Sequence, residues 1–272
     1  MILIFDTYGG LCNQMYDIHY SINFCIVHHI SFSFRYASFR DKENLTLWHN
    51  VLFSELFDDS FIETSLYNRF QTLQLTEENC HHLHNDIRAI EWLNKDRALL
   101  PQLDRINKAN IIVKQFWSVC PQFHCEINFY EIIKPCSKLQ QLFKTIKQNL
   151  PKKYNYIHYR YEDDFIQHFH IENHPKLSDL MKTILFTQNY LKMYIACYKI
   201  TTLPRKYIDK SIWKYKSALY KKDTYSHLNF EEQAFIDFLI GKHAEEVYGH
   251  SKSSFSWLLN ASKNSNNYYD IT

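Results

Sequence analysis

The chain has 272 residues, 46% hydrophobic and 17% aromatic, with 31 basic against 29 acidic side chains for a net charge of +2. Apolar residues in that supply fill one large core or two small ones, while the near-neutral balance lacks the electrostatic footprint of a nucleic-acid binder. No apolar run approaches the roughly 18–20 residues that a membrane span needs. The first predicted strand opens at residue 2, which leaves no room for an export signal, and the seven cysteines (Cys12, Cys25, Cys80, Cys120, Cys125, Cys136, Cys197) are odd in number and irregularly spaced. Together these predict reduced thiols in a cytoplasmic protein.

"ILIFDTY" at the start predicts a strand, and "LCNQMYDIHYSINFCIVHH" carries apolar residues at helical spacing. Between them stand Gly9 and Gly10, two of only four glycines in the chain, as expected where a strand turns tightly into a helix and the backbone can approach a ligand. "ISFSFRY" alternates with period two and completes a β-α-β opening, the usual start of a parallel sheet covered by helices. From about residue 45 to 105 the pattern weakens into short helices and loops. "ANIIVKQFW" then predicts a buried strand and "CSKLQQLFKTIKQNL" a helix. "PKKYN", 151–155, reads as a polar hinge between two lobes, 1–150 and 151–272.

The alternation restarts after the hinge. "YIHYRY" and "LKMYIACYK" predict strands on either side of a helix in "KLSDLMKTILFTQ". "NFEEQAFIDFLIGKH" predicts a helix, "AEEVYGH" a strand, "SSFSWLLNAS" a short helix, and "KNSNNYYDIT" a frayed polar tail. The fold class is therefore α/β, with two Rossmann-like lobes facing a cleft and a ligand expected at the strand ends.

Four stretches carry side chains suited to chemistry. A strand over 156–161 puts His158 and Arg160 on one face near its C-terminal end, and a guanidinium is the side chain best shaped to grip a phosphate. Read without a ligand, the same pair serves as a core histidine and a solvated arginine. Ser251, Ser253 and Ser254 stand where a late helix begins, a position that suits either simple capping or an anion on the free N–H groups. Asp237 is the lone acid in an apolar helical stretch and faces either solvent or a ligand. "CHHLH" (Cys80, His81, His82, His84) and "CPQFHC" (Cys120, His124, Cys125) contain soft ligand types at spacings that fit no common zinc pattern. "KYKSALYKK" reads as a solvated helix face.

In order along the chain, "GGLCNQ", "HYRYEDD" and "AFIDFLIGKHAEEVYGHSKSSFSW" resemble the three signatures of the fucosyltransferase superfamily, and are most similar to its GDP-fucose O-fucosyltransferase-like branch. The second is also similar to plant-type fucosyl- and rhamnosyltransferases, and the Ser-Ser-Phe-Ser run to α-1,2-fucosyltransferases. The resemblance implies a GT-B architecture, inversion at the anomeric carbon, GDP-fucose as donor, and no metal or other cofactor. It implies an acceptor-side lobe in 1–150 and a nucleotide-sugar lobe in 151–272. Arg160 would grip the β-phosphate and His158 would shape the donor site. Ser253, Ser254 and Phe255 would hold the pyrophosphate, Asp237 would contact base or ribose, and Gly9, Gly10 and Asn13 would lie near the transferred sugar. Asp6, Asp17, Glu162 and Asp163 are candidate bases for the acceptor hydroxyl, unless the leaving phosphate takes that proton itself. The acceptor would be a glycan or glycoprotein. A rhamnosyltransferase on the same scaffold and a non-catalytic glycan- or protein-binding module are the competing readings.

Overall fold

The computed structural model describes residues 2–44, 46–60, 80–83, 110–114, 128–160, 166–167, 170, 179–180, 192–197, 213–215, 227–263 and 268–271. These fall into two compact units, Met1–Gln140 with Asn229–Glu231, and Gln141–Leu228 with Glu232–Thr272. Glu162, Asp163, His84, Cys120, His124, Cys125 and 216–222 of the "KYKSALYKK" stretch lie outside the described residues, whereas Lys214 and Tyr215, expected on a helix face, are in a strand.

The first unit is built on the predicted β-α-β opening. Strand β1 (Ile2–Asp6) leads through the glycine turn into α1 (Leu11–Val27) and returns as β2 (Ser31–Arg40), parallel to β1. β1 is apolar through Leu3, Ile4 and Phe5, all fully buried, as expected of a strand in the middle of a parallel sheet with both faces covered. β2 runs to Arg40, four residues beyond the predicted end, because its far half pairs antiparallel with β3 (Trp48–Leu52). β3 lies in the region predicted as short helices and loops. Its side chains are mostly exposed, so it lacks the apolar signal of a central strand.

A short helix, α2 (Phe53–Leu56), follows and stacks Phe53 on Phe34 at 4.7 Å and on Phe57 at 5.0 Å. β4 (Cys80–Leu83) and β5 (Asn110–Lys114) complete a five-stranded sheet in the order β3-β2-β1-β5-β4. β5 confirms the strand expected in "ANIIVKQFW", whereas β4 occupies the histidine-rich stretch "CHHL", where no strand was expected.

The second unit carries an all-parallel sheet in the order β10-β9-β6-β7-β8. α3 (Ser137–Asn149) precedes β6 (Tyr154–His158), and β7 (Lys192–Ala196) and β8 (Trp213–Tyr215) extend the sheet on one side. On the other side lie β9 (Val247–Gly249) and β10 (Tyr268–Asp270), with α4 (Phe230–Lys242) before β9 and α5 (Ser254–Lys263) between them.

Two expectations are corrected here. β6 begins at Tyr154 and ends at His158, so part of the predicted hinge is strand and Arg160 stands two residues past the strand's end. Tyr154 and Asn155 look polar but are buried: the Tyr154 hydroxyl donates to the Ile240 carbonyl at 2.7 Å, and Asn155 donates to Glu246 at 3.1 Å. The predicted frayed tail contains β10, because Tyr268, Tyr269 and Asp270 pair in register with β9 and Tyr269 stacks on Tyr248 at 5.0 Å.

The core of this unit sits between sheet and helices, around the stacked pair Tyr156 and Tyr194 (5.6 Å) with Phe235, Phe238, Leu258 and Leu259. α4 is buried around most of its girth, and Asp237 with it. Among the described residues no helix is long and apolar enough to cross a membrane.

Candidate functional site

In the first unit the glycine turn is fixed from several directions. Gly9 has φ +92°, a left-handed conformation that favours glycine, and its N–H donates to the Ser38 hydroxyl at 3.1 Å. Gln14, fully buried, holds the turn with all four hydrogen-bonding positions of its amide. Nε2 donates to the carbonyls of Gly9 and Ser38, both at 2.8 Å, while Oε1 accepts from the Thr7 hydroxyl at 2.9 Å and the Ser38 N–H at 3.0 Å. Asp17 accepts the Tyr8 N–H at 3.1 Å. Asp6 is gripped by both forks of Arg35, at 3.0 and 2.7 Å, where a bulge in the β1–β2 pairing sets Tyr36 opposite Asp6 and leaves Arg35 as the extra residue. Both candidate bases of this unit are thus buried and already engaged.

Gly10 is the N-cap of α1, and no side chain caps it. A Cβ on Gly9 would stand 3.0 Å from the Asn13 amide nitrogen, and one on Gly10 would stand 2.8 Å from a guanidinium nitrogen of Arg40. Gly9, Gly10 and Asn13 are therefore neighbours, and Asn13 is half-exposed, with no side-chain hydrogen bond among the described residues. Arg40 is a cation the sequence reading missed. It pairs with buried Glu231 at 3.2 Å and lies over the rings of Trp48 (4.9 Å) and Phe230 (4.5 Å). Burial pushes the Glu231 carboxyl above its ordinary range, and Arg40 opposes that shift. Burial likewise raises the Cys12 thiol, again against the pull of Arg40, which leaves it a packed rather than a reactive thiol. Only the end of β2 signalled Arg40, and that required seeing the strand run past Tyr36.

In the second unit the strand carrying His158 and the helix that begins at Ser254 come together. β6 and β9 are adjacent parallel strands, so the chain leaving β9 at Gly249 enters α5 beside the end of β6. His158, 8% exposed, packs its ring on Phe255 at 4.4 Å, and its Nδ1 lies 2.7 Å from the Ser256 hydroxyl. The His250 N–H donates to the same hydroxyl at 3.2 Å. Close approach explains Gly249: a Cβ there would fall 2.6 Å from Ser256 Oγ. The turn from β9 into α5 is closed by the Ser253 N–H donating to the His250 carbonyl and the Lys252 N–H donating to His250 Nδ1. Burial lowers the His250 imidazole while Asp270 opposes the shift. Ser253 is buried, Ser254 exposed, and Phe255 half-buried.

Arg160 follows β6, half-buried. Asp237 is 4% exposed on α4 and accepts the Tyr194 hydroxyl at 2.7 Å, so it does not face open solvent. Ser256, His250 and Tyr194 went unread in the sequence. Ser256 stood inside the quoted "SSFSW", but its partner is 98 residues away and invisible to spacing. No group of three or more histidine, cysteine, aspartate or glutamate side chains placed to hold a metal ion occurs among the described residues.

No protein-family model and no curated protein matches the sequence. Solved structures do match. POFUT1 in complex with GDP-fucose aligns over 99% of this chain and 97% of its own, with a TM-score of 0.66 at 12% identity. Fucosyltransferase NodZ from Bradyrhizobium aligns over 95% and 91%, with a TM-score of 0.54 at 12% identity. Arabidopsis thaliana FUT1 in complex with GDP aligns over 96% of this chain and 68% of its own, with a TM-score of 0.54 at 10% identity. The likeness is one of fold, and it gives the chain the α/β, GT-B-type fold of fucosyltransferase structures.

Proposed function

We propose that this chain is an inverting, metal-independent glycosyltransferase that moves L-fucose from GDP-fucose to a hydroxyl of a glycan or glycoprotein acceptor, in the cytoplasm. The observation that supports it most is the meeting, inside the second unit, of the His158 strand end with the opening turn of α5 through the Phe255 and Ser256 contacts. Transfer from a nucleotide diphosphate sugar leaves negative charge on the departing β-phosphate. Without a metal, that charge needs a cation and oriented N–H groups in a protected place. Arg160 supplies the cation in this reading, and the positive dipole end of α5, at its opening turn of Ser253, Ser254 and Phe255, supplies the rest.

Asp237, oriented by Tyr194, would take the base or ribose, as a carboxylate suits hydroxyl and amine donors. The transferred sugar would sit at the turn of Gly9 and Gly10, with Asn13 as the unengaged amide beside it. With Asp6 and Asp17 tied to Arg35 and Tyr8, the leaving phosphate is the simpler acceptor for the proton of the attacking hydroxyl. Solved relatives in fold carry GDP or GDP-fucose in complex, which favours the guanosine nucleotide over others.

The deciding experiment measures thermal unfolding with GDP, UDP and dTDP, then hydrolysis and transfer from GDP-fucose with and without EDTA. GDP at a hundredfold excess over its dissociation constant adds about 2.7 kcal/mol to stability, so a clear rise with GDP alone is expected, with EDTA having no effect. Stabilisation by dTDP or UDP instead would favour a rhamnosyltransferase. No stabilisation by any of the three would leave the non-catalytic module as the better reading.

A further inference from the structure

Gly9 and Gly10 are glycines for different reasons. Gly9 needs its left-handed φ of +92°, but Gly10, at φ −61° and ψ 161°, has extended backbone that any residue adopts. What Gly10 supplies is space. A Cβ there would stand 2.8 Å from Arg40 Nη2, so the guanidinium lies directly against the turn. Arg40 arrives fixed along its other edge. Its main-chain N–H donates to Glu231 Oε2 at 2.9 Å, its Nε faces Glu231 Oε1 at 3.2 Å, and the guanidinium lies over the Trp48 and Phe230 rings. All these residues belong to the first unit. The Nη edge carries four of the five guanidinium donors. It makes no hydrogen bond among the described residues, although the side chain is only 24% exposed.

We propose that Arg40 is a sugar-binding residue, its Nη edge donating, together with the Asn13 amide, to the hydroxyl oxygens of the transferred sugar. The identity of that ligand rests on the transferase reading; the open donor edge rests on the placement of Arg40 alone. Asn13 brings the second donor to the same turn, its amide nitrogen 3.0 Å from where a Cβ on Gly9 would stand. Glu231, its side chain wholly buried, balances the charge of Arg40. Donors without net charge suit the neutral oxygens of a sugar better than a second anion. The half-buried Tyr8 ring, packed on Trp48 at 5.4 Å, adds an apolar flank for the C–H groups of such a ligand. A guanidinium already clamped by Glu231 and two rings has little freedom left to lose on binding. Both donors also demand acceptor oxygens, so a sugar without matching hydroxyls leaves them unpaired, and the pair discriminates between sugars.

Calorimetric titration of the full chain with GDP and, separately, with GDP-fucose tests this. Arg40→Lys keeps a cation for Glu231 but loses the planar fork, whereas Gly10→Ala keeps the arginine and displaces its Nη edge. Each should weaken GDP-fucose binding by about 10- to 100-fold, the scale of hydrogen bonds from a charged donor, while GDP binds as it does to the wild type. Asn13→Ala should show the same selectivity, with a loss of about 3- to 10-fold for a neutral donor. Equal losses for the two ligands, the mark of general damage to the fold, would overturn the proposal. So would wild-type affinity for GDP-fucose in both Arg40→Lys and Gly10→Ala; the transferase reading would then stand without Arg40, provided the wild type binds and hydrolyses GDP-fucose. If the wild type binds neither ligand, the transferase reading fails and the role of Arg40 fails with it.

Discussion

His19 sets a measurable acid limit on the first unit. It sits on α1, 6% exposed, its ring stacked on Tyr130 at 4.0 Å and its Nδ1 accepting the Phe129 N–H at 3.3 Å. Since Nδ1 is an acceptor, the folded protein holds the neutral ring, and burial lowers its pKa from 6.5 to about 4. The unfolded chain takes up a proton as pH falls through 6.5, but the folded chain does not until about 4. Unfolding is therefore increasingly favoured across that window: the stability this histidine confers is complete above pH 6.5 and lost as pH falls toward 4. A shift of about 2.5 pH units at about 1.4 kcal/mol each amounts to roughly 3 kcal/mol.

His19→Asn keeps an acceptor for the Phe129 N–H but cannot titrate. At pH 7 it should be less stable than wild type by about 1–2 kcal/mol, having lost the ring stack. Urea unfolding of both proteins at several values between pH 7 and 4.5 should then show the gap closing and reversing, by up to roughly 3 kcal/mol in total. The chain has fifteen histidines, and comparing the two proteins at each pH cancels the other fourteen. A difference that stays constant with pH would refute the reasoning.

The other predictions concern charge and packing. Arg160→Ala should cut turnover by about 10²–10³-fold, the usual scale for losing one electrostatic donor to a developing anion, and wild-type rates under conditions where chemistry limits would remove Arg160 from the mechanism. Arg40→Leu should destabilise by about 3–5 kcal/mol because it strands the buried Glu231 carboxylate; chemical denaturation should find the double change Arg40→Leu with Glu231→Gln milder than the single one, and equal losses would show that the ion pair is not the cause. Gly241→Ala should destabilise by about 1–3 kcal/mol, although alanine favours helix by about 1 kcal/mol, because its Cβ would stand 2.5 Å from Leu259 and 3.1 Å from the Tyr156 ring; a rise in melting temperature would contradict that packing.

The elements that position the site were legible where their signal is local. α1 starts at Leu11 and α3 ends at Asn149, each within a residue or so of the expected limit, because helical periodicity and the glycine turn are written in neighbouring residues. Strand limits were less so. The end of β6 is set by pairing with β7 and β9, which no window around residue 158 contains, and Arg160 was consequently placed inside a strand it follows. β3 and β10 escaped for a related reason: each lies at a sheet edge, where exposed polar side chains erase the apolar pattern. Among the residues of the candidate site, Gly9, Gly10, Asn13, His158 and Ser253 were singled out by type and order. Gln14, Arg40 and Ser256 were not, since what marks them is a partner 24, 191 or 98 positions distant.

The pairing of Arg40 with Glu231 also bears on how the chain acquires its structure during synthesis. All strands of the first sheet have left the ribosome once residue 114 is clear, yet the carboxylate that neutralises Arg40 comes 191 positions after it. At about 5–20 residues per second, that guanidinium waits roughly ten seconds or longer in contact with water and the Trp48 ring alone. A fragment ending at residue 140 would carry that intermediate condition permanently, with its sheet assembled and one cation still hydrated where the complete chain has a closed ion pair.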